Sequence, residues 1–119
     1  MGTPMGLLSF IFGEEVPTLT ALELQEKLKN GNKPFVLDVR QPEEFRLGHI
    51  PEAKLIPLSE LSRRIKEVPI DHEIVCICAT GHRSIPAVHK LGAAGYTANS
   101  LKNGMISWYL AKLPTYKEL

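Results

Sequence analysis

Only two cysteines occur in the 119 residues, Cys76 and Cys78. So few build no disulfide framework, and a pair spaced i, i+2 on an extended strand shares one face, too far apart for disulfide geometry. Zinc is disfavoured too, because a structural site needs four ligands and one C-x-C with scattered histidines supplies no second pair. No apolar run approaches the roughly 20 residues of a membrane-spanning helix. Neither sign of charge dominates: 14 Lys plus Arg stand against 13 Asp plus Glu, a formal net charge of +1. That balance argues against an extended nucleic-acid footprint, which needs a strong basic excess on one face, and leaves room for a small basic pocket. Internal repeats and low-complexity stretches are absent.

What is there suits one soluble globular domain, with 44% hydrophobic and 23% charged residues. A chain of this size buries roughly two-thirds of the surface exposed when unfolded. The first residues stand apart. The apolar run Leu7-Leu8-Ser9-Phe10-Ile11-Phe12 has no basic residue before it and no small-residue cleavage site after it, so it does not read as a secretory signal. Gly6 stands where myristoylation wants Ser or Thr. The expectation is a leader over 1–15 that docks on the domain or a neighbour, followed by a domain over 16–119. Stable membrane insertion is not expected, and a reducing cytoplasm is the natural compartment.

Short β-type segments alternate with helical ones, the pattern of an α/β domain. Val16 to Leu19 starts a strand, and Thr20-Ala21-Leu22-Glu23 reads as a capping box opening a helix with Leu22, Leu24 and Leu28 turned inward. Asn30-Gly31 predicts a left-handed end to that helix. Phe35-Val36-Leu37 is a wholly apolar strand of the kind buried on both faces of a parallel sheet. Pro42 to Phe45 makes a helical turn, Leu55-Ile56 a brief strand, and Ser59 caps a helix to about Val68. Glu73 to Cys78 is the clearest strand. Ser84 opens a helix ending near Gly95, Tyr96 to Leu101 is a last strand, and Met105 to Ala111 a short helix before a tail that frays from Pro114.

Chemistry is expected where the clearest strand ends, in Cys78-Ala79-Thr80-Gly81-His82-Arg83-Ser84. A thiol at the C-terminal end of a central strand lies in the crevice where open α/β sheets bind ligands. Gly81 is free to take positive φ, so the turn can aim successive N–H groups into an anion-binding nest. The helix opening at Ser84 adds about half a positive charge, and Arg83 a full one. All three favour thiolate over thiol, so Cys78 is expected to be more acidic than a free cysteine. Cys76, inside the strand, reads as a small buried hydrophobe.

These residues belong to an ordered set. Leu37-Asp38-Val39-Arg40, then Glu43-Glu44-Phe45, then Gly48-His49-Ile50-Pro51-Glu52-Ala53, the loop Cys78 to Ser84, Ala87, Leu91, Gly95-Tyr96, Gly104 and Trp108 follow one another in a characteristic spacing. From about Thr18 to Trp108 the chain resembles the single-domain members of the rhodanese family. The resemblance implies a rhodanese-like α/β fold, a parallel sheet of about five strands flanked by helices. It also implies a sulfurtransferase in which Cys78 carries sulfane sulfur as a persulfide, cradled by Ala79, Thr80, Gly81, His82, Arg83 and Ser84. No cofactor or metal is implied. The partners would be a small sulfur donor such as thiosulfate, polysulfide or a persulfide, with a thiol, a cyanide-like nucleophile or a protein as acceptor. A non-catalytic binding or sulfur-delivery module within a partner complex is the alternative.

Four residues separate Cys78 from Arg83. Phosphatases and arsenate reductases that resemble this fold use a loop one residue longer, which suits a tetrahedral oxyanion better than one added sulfur atom. Ala79 stands where many thiosulfate-using relatives place a basic residue, so cationic help must come from Arg83, joined by His82 if it is protonated; His82 reads either as a switchable cation or as a solvent-facing loop residue. Asn103 stands where the family often has a glycine, and Asn tolerates left-handed geometry. Asp38 and Arg40 read first as scaffold around the strand end, pairing locally or with Glu44, and second as pocket edge. Trp108 is expected to pack, or to border the pocket. His49 reads as a hydrogen-bonded loop residue, and His72 and His89 as ordinary surface or helix positions.

Overall fold

A computed structural model of the chain describes residues 16–118, so the leader expected over 1–15 lies outside the described residues. Among the described residues five strands form one all-parallel sheet: β1 (Thr18–Leu19), β2 (Phe35–Asp38), β3 (Lys54–Leu55), β4 (Glu73–Ile77) and β5 (Thr97–Leu101). Their order across the sheet is β1-β5-β4-β2-β3. Five helices connect or follow them: α1 (Ala21–Leu28), α2 (Pro42–Leu47), α3 (Leu58–Arg64), α4 (Ser84–Ala93) and α5 (Gly104–Leu110). None of the described helices is long and apolar enough to cross a membrane.

The middle strand explains the layering. Along β4 the side chains alternate, so Ile74, Cys76 and then Cys78 enter one core with Leu37, Leu61, Ala87 and Leu91. Val75 and Ile77 enter the other with Leu24, Leu101, Met105 and Trp108. An uninterrupted apolar run is therefore needed, because both faces are covered. β4 registers against β2 through Leu37↔Cys76 and Asp38↔Ile77, and against β5 through Cys76↔Ser100. The chain turns outward in opposite directions from β2 and β4, so a switch point lies between their C-terminal ends. Cys78 emerges there.

Several expectations shift in detail. The capping box is present, with the Thr20 N–H on Glu23 Oε1 at 2.8 Å and the Glu23 N–H on Thr20 Oγ1 at 3.1 Å. Its inward stripe is Ala21, Leu24 and Leu28, whereas Leu22 is 67% exposed. One residue on from Ala21 is about 100° around the helix, which turns Leu22 to solvent. That helix ends on Lys29 in right-handed geometry, and Gly31 is not left-handed. α3 starts at Leu58 behind Pro57 instead of being capped by Ser59, and closes as a 3-10 turn at Ile65–Glu67. The tail is held rather than frayed. The Trp108 Nε1–H donates to the Pro114 carbonyl at 2.8 Å, and Tyr116 and His49 exchange backbone hydrogen bonds at 2.9 and 3.0 Å. A buried indole N–H needs an acceptor, and the returning chain supplies it.

Candidate active site

The loop from Cys78 to Arg83 joins the buried end of β4 to the N-terminus of α4. Cys78 is 1% exposed. Gly81, at φ +102°, folds the turn back so that its N–H donates to Cys78 Sγ at 3.0 Å. An L side chain rarely adopts that φ. Ser84 Oγ lies 3.6 Å from the same sulfur and donates to the Gly81 carbonyl at 3.0 Å. Pro86 falls in the first turn of α4, where the missing N–H has no intrahelical partner to lose.

The far side of the loop is fixed by α5. The Met105 N–H donates to the Cys78 carbonyl at 2.8 Å and the Ile106 N–H to the Ala79 carbonyl at 3.2 Å. Because trans peptides put N–H opposite C=O, the N–H groups of Ala79 and Thr80 point away from α5. Asn103 adopts φ +61°, the left-handed geometry expected there, and Gly104 follows at φ +56°. A Cβ on Gly104 would stand 2.3 Å from the Cys78 carbonyl oxygen. The close approach of α5 to the loop thus depends on a missing side chain.

Arg83 does not stand free beside the thiol. Its guanidinium forms a two-pronged pair with Glu44 of α2, both contacts at 2.7 Å. The Arg83 hydrogen bonds hold the Glu44 carboxyl down at about 2. Glu44 also accepts the Gln41 N–H at 2.9 Å at the start of α2. The pair buckles that helix to the loop. A depressed carboxyl stabilises the fold fully above its unfolded value and loses that contribution as pH falls toward about 2. Both side chains are about one-third exposed, so solvent screening leaves about 0.5–1 kcal/mol. Urea denaturation of wild type and Glu44→Gln at pH 6.5 and pH 2.5 tests this. The difference in stability should shrink at the lower pH, and an unchanged difference would show the pair to be inert.

The remaining expected residues fall into two groups. Asp38 and Arg40, 0% and 4% exposed, pair with each other through contacts of 2.8–3.1 Å, and Arg40 also donates to the Gly48 carbonyl at 2.8 Å. They tie the end of β2 to the end of α2. Glu44 pairs with Arg83 rather than with them. Trp108 is fully buried in the core on the other face of the sheet from Cys78. The hollow it borders, with Gln25, Leu28 and Ile50, is a separate one of about 180 Å³. His82 is exposed, with Nδ1 2.8 Å from Thr80 Oγ1. His49 is buried, its Nδ1 2.7 Å from the Phe45 carbonyl, and His72 pairs with Asp71. Beside the loop a cleft of about 440 Å³ is bordered by Thr80, Gly81, His82, Ser100 and Lys102.

Two parts of this arrangement went unread in the sequence. Glu44 was legible as a first-turn acid, yet nothing local pairs it with a residue 39 positions on. Ser100, in the polar stretch Thr97-Ala98-Asn99-Ser100, reaches Ser84 through parallel pairing alone.

The comparisons with known proteins agree with this geometry. Residues 20–111 match the family model of the Rhodanese-like domain. A sulfurtransferase of Allochromatium vinosum is 33% identical over 76% of this chain and 86% of its own length. An HTH-type transcriptional regulator of Mycobacterium tuberculosis is 36% identical over 87% of this chain, which spans only 46% of the regulator. The crystal structure of a rhodanese-related protein from Thermoplasma volcanium superposes with a TM-score of 0.79 at 34% identity, covering 85% of this chain and 98% of that one. With the parallel sheet, the switch point and the Cys78 loop in place, the chain belongs to the rhodanese-like domain family, whose relatives include named sulfurtransferases.

Proposed function

We propose that this protein moves sulfane sulfur through a persulfide on Cys78. The observation that carries the reading is the Gly81 N–H aimed at Cys78 Sγ from 3.0 Å in a glycine-dependent turn. Such a donor stabilises negative charge on sulfur without reorganising during reaction. In the first half-reaction the Cys78 thiolate attacks the outer sulfur of the donor. The donor's S–S bond breaks, and the leaving thiolate or sulfite departs with the electron pair. An acceptor nucleophile then attacks the outer sulfur of the persulfide, and Cys78 leaves as thiolate. Ping-pong kinetics follow.

Ala79 brings no cation, and Glu44 neutralises Arg83. Both favour polysulfide or persulfide donors over thiosulfate. A second reading, sulfur delivery or partner binding inside a larger assembly, is supported by the transcriptional regulator, of which this chain matches only part.

Intact mass spectrometry after exposure to polysulfide or thiosulfate tests the first reading through a gain of one sulfur atom, with polysulfide more effective. No gain with either would favour the binding module. Alkylation should separate the two thiols, because burial pushes the Cys76 thiol up to about 12. At pH 8 iodoacetamide should modify Cys78 alone, read by peptide mapping. Equal labelling of both cysteines in folded protein would remove the basis for choosing between them.

A further inference from the structure

Behind the sulfur lies a hydroxyl pair drawn from two different elements. Ser84 opens α4 and Ser100 is the penultimate residue of β5, 0% and 2% exposed. Their Oγ atoms are hydrogen-bonded to each other. Ser84 Oγ also contacts the Gly81 carbonyl at 3.0 Å and Cys78 Sγ at 3.6 Å. A serine hydroxyl has one proton to give and two lone pairs. The Gly81 carbonyl can only accept, so it takes the Ser84 proton while the sulfur is protonated. The Cys78 S–H and the Ser100 O–H then fill the two lone pairs of Ser84. This set is complete only for the neutral thiol. When the thiol ionises, Ser84 loses one incoming donor, and the sulfur becomes an acceptor near the same Oγ.

We infer that Ser100 is a positioning residue for the nucleophile: donating to Ser84, it keeps that hydroxyl a donor and lets it turn from the Gly81 carbonyl to the thiolate. The sulfur would then receive two hydrogen bonds, from the Gly81 N–H and the Ser84 O–H. The carbonyl left behind belongs to a residue bordering the 440 Å³ cleft, where water can satisfy it. Only the S–H bond breaks, its proton passing to solvent; both serines keep theirs and change direction. Donation into Ser84 also polarises its O–H, strengthening the bond it makes. The inference rests on the reading of Cys78 as the nucleophile. Of the charged and titratable groups nearby, Cys76 on β4 and Arg83 in the loop interact electrostatically with Cys78, Glu44 on α2 and Asp38 at the end of β2 interact with Arg83, Arg40 pairs with Asp38, and His82 and Lys102 border the adjoining cleft. All are untouched in the variants below and contribute equally at any one pH.

Iodoacetamide alkylation of Cys78 is followed from pH 6 to 10 in wild type, Ser100→Ala, Ser84→Ala and the double variant. Ser100→Ala should react roughly three- to fivefold more slowly near pH 7, the difference narrowing toward pH 10. The double variant should be no slower than Ser84→Ala, because Ser100 acts through Ser84. Superimposed profiles, or effects that simply multiply, would overturn the proposal and leave Ser100 as a tether between β5 and α4. If Ser100→Ala weakens the fold, Ser100→Thr and Ser100→Val decide, since they share a shape and differ in the hydroxyl. Wild-type behaviour in the Thr variant alone supports the relay, and equal behaviour of the two overturns it. Alkylation needs no sulfur donor. Failure of the mass gain would therefore sink sulfur transfer alone, and superimposed pH profiles with an intact mass gain would sink the relay alone.

Discussion

Cys78→Ser should abolish persulfide formation and lower sulfur transfer by roughly three orders of magnitude or more, while Cys76→Ala keeps at least half the wild-type rate. The two sulfurs lie on the same side of β4, separated along the strand by about 6.6 Å. Their surroundings differ completely. Cys76 packs between Leu37 and Ser100 in the sheet registers, with burial opposing its ionisation. Cys78 sits one residue beyond the strand, where the Gly81 N–H and Ser84 reach it. Alanine at 76 deletes one buried atom, a modest loss beside a core of this size. Steady-state transfer assays with intact mass spectrometry on both variants settle the assignment. An inactive Cys76→Ala beside an active Cys78→Ser would reverse it.

Gly104→Ala should be strongly damaging although it lies outside the loop itself. Its Cβ would stand 2.3 Å from the Cys78 carbonyl oxygen and 2.6 Å from the Ala79 carbonyl carbon, both backbone atoms that cannot swing aside. The positive φ of +56° adds strain for any L side chain. Relief requires α5 to move off the loop, breaking the Met105 and Ile106 hydrogen bonds that orient it. A loss of about 2–4 kcal/mol in chemical denaturation is expected. Sulfur transfer under folded conditions should fall roughly tenfold or more, because the Gly81 N–H would be displaced from the sulfur. Gly31→Ala is the control. Nothing lies within 4 Å of a Cβ there and its backbone is not left-handed, so it should be neutral or slightly stabilising. If Gly104→Ala behaved like Gly31→Ala, α5 would not be holding the loop.

The parallel α/β architecture was legible because its causes are local. Phe35-Val36-Leu37 and Ile74-Val75-Cys76-Ile77 are uninterrupted apolar runs too short for helices, and helical segments separate them. Thr20 with Glu23, and Gly81 within a turn, announce themselves through backbone chemistry alone. Errors arose where phase or a distant partner decides. Whether Leu22 or Ala21 faces inward depends on where the first helical turn begins, a matter of one residue. The tail beyond Pro114 carries no ordering signal of its own. It is ordered because Trp108 and His49 offer it hydrogen bonds.

The sequence by itself determined the layered sheet, the place of Cys78 at a strand end and the tight turn that follows, since burial, strand length and glycine geometry act within a few residues. Tertiary structure alone decided that Arg83 is matched by Glu44, that α5 presses on the loop at Gly104, and that Ser100 stands behind Ser84. Those contacts join elements 16 to 39 residues apart. The order of strands in the sheet creates them, and no local periodicity encodes that order.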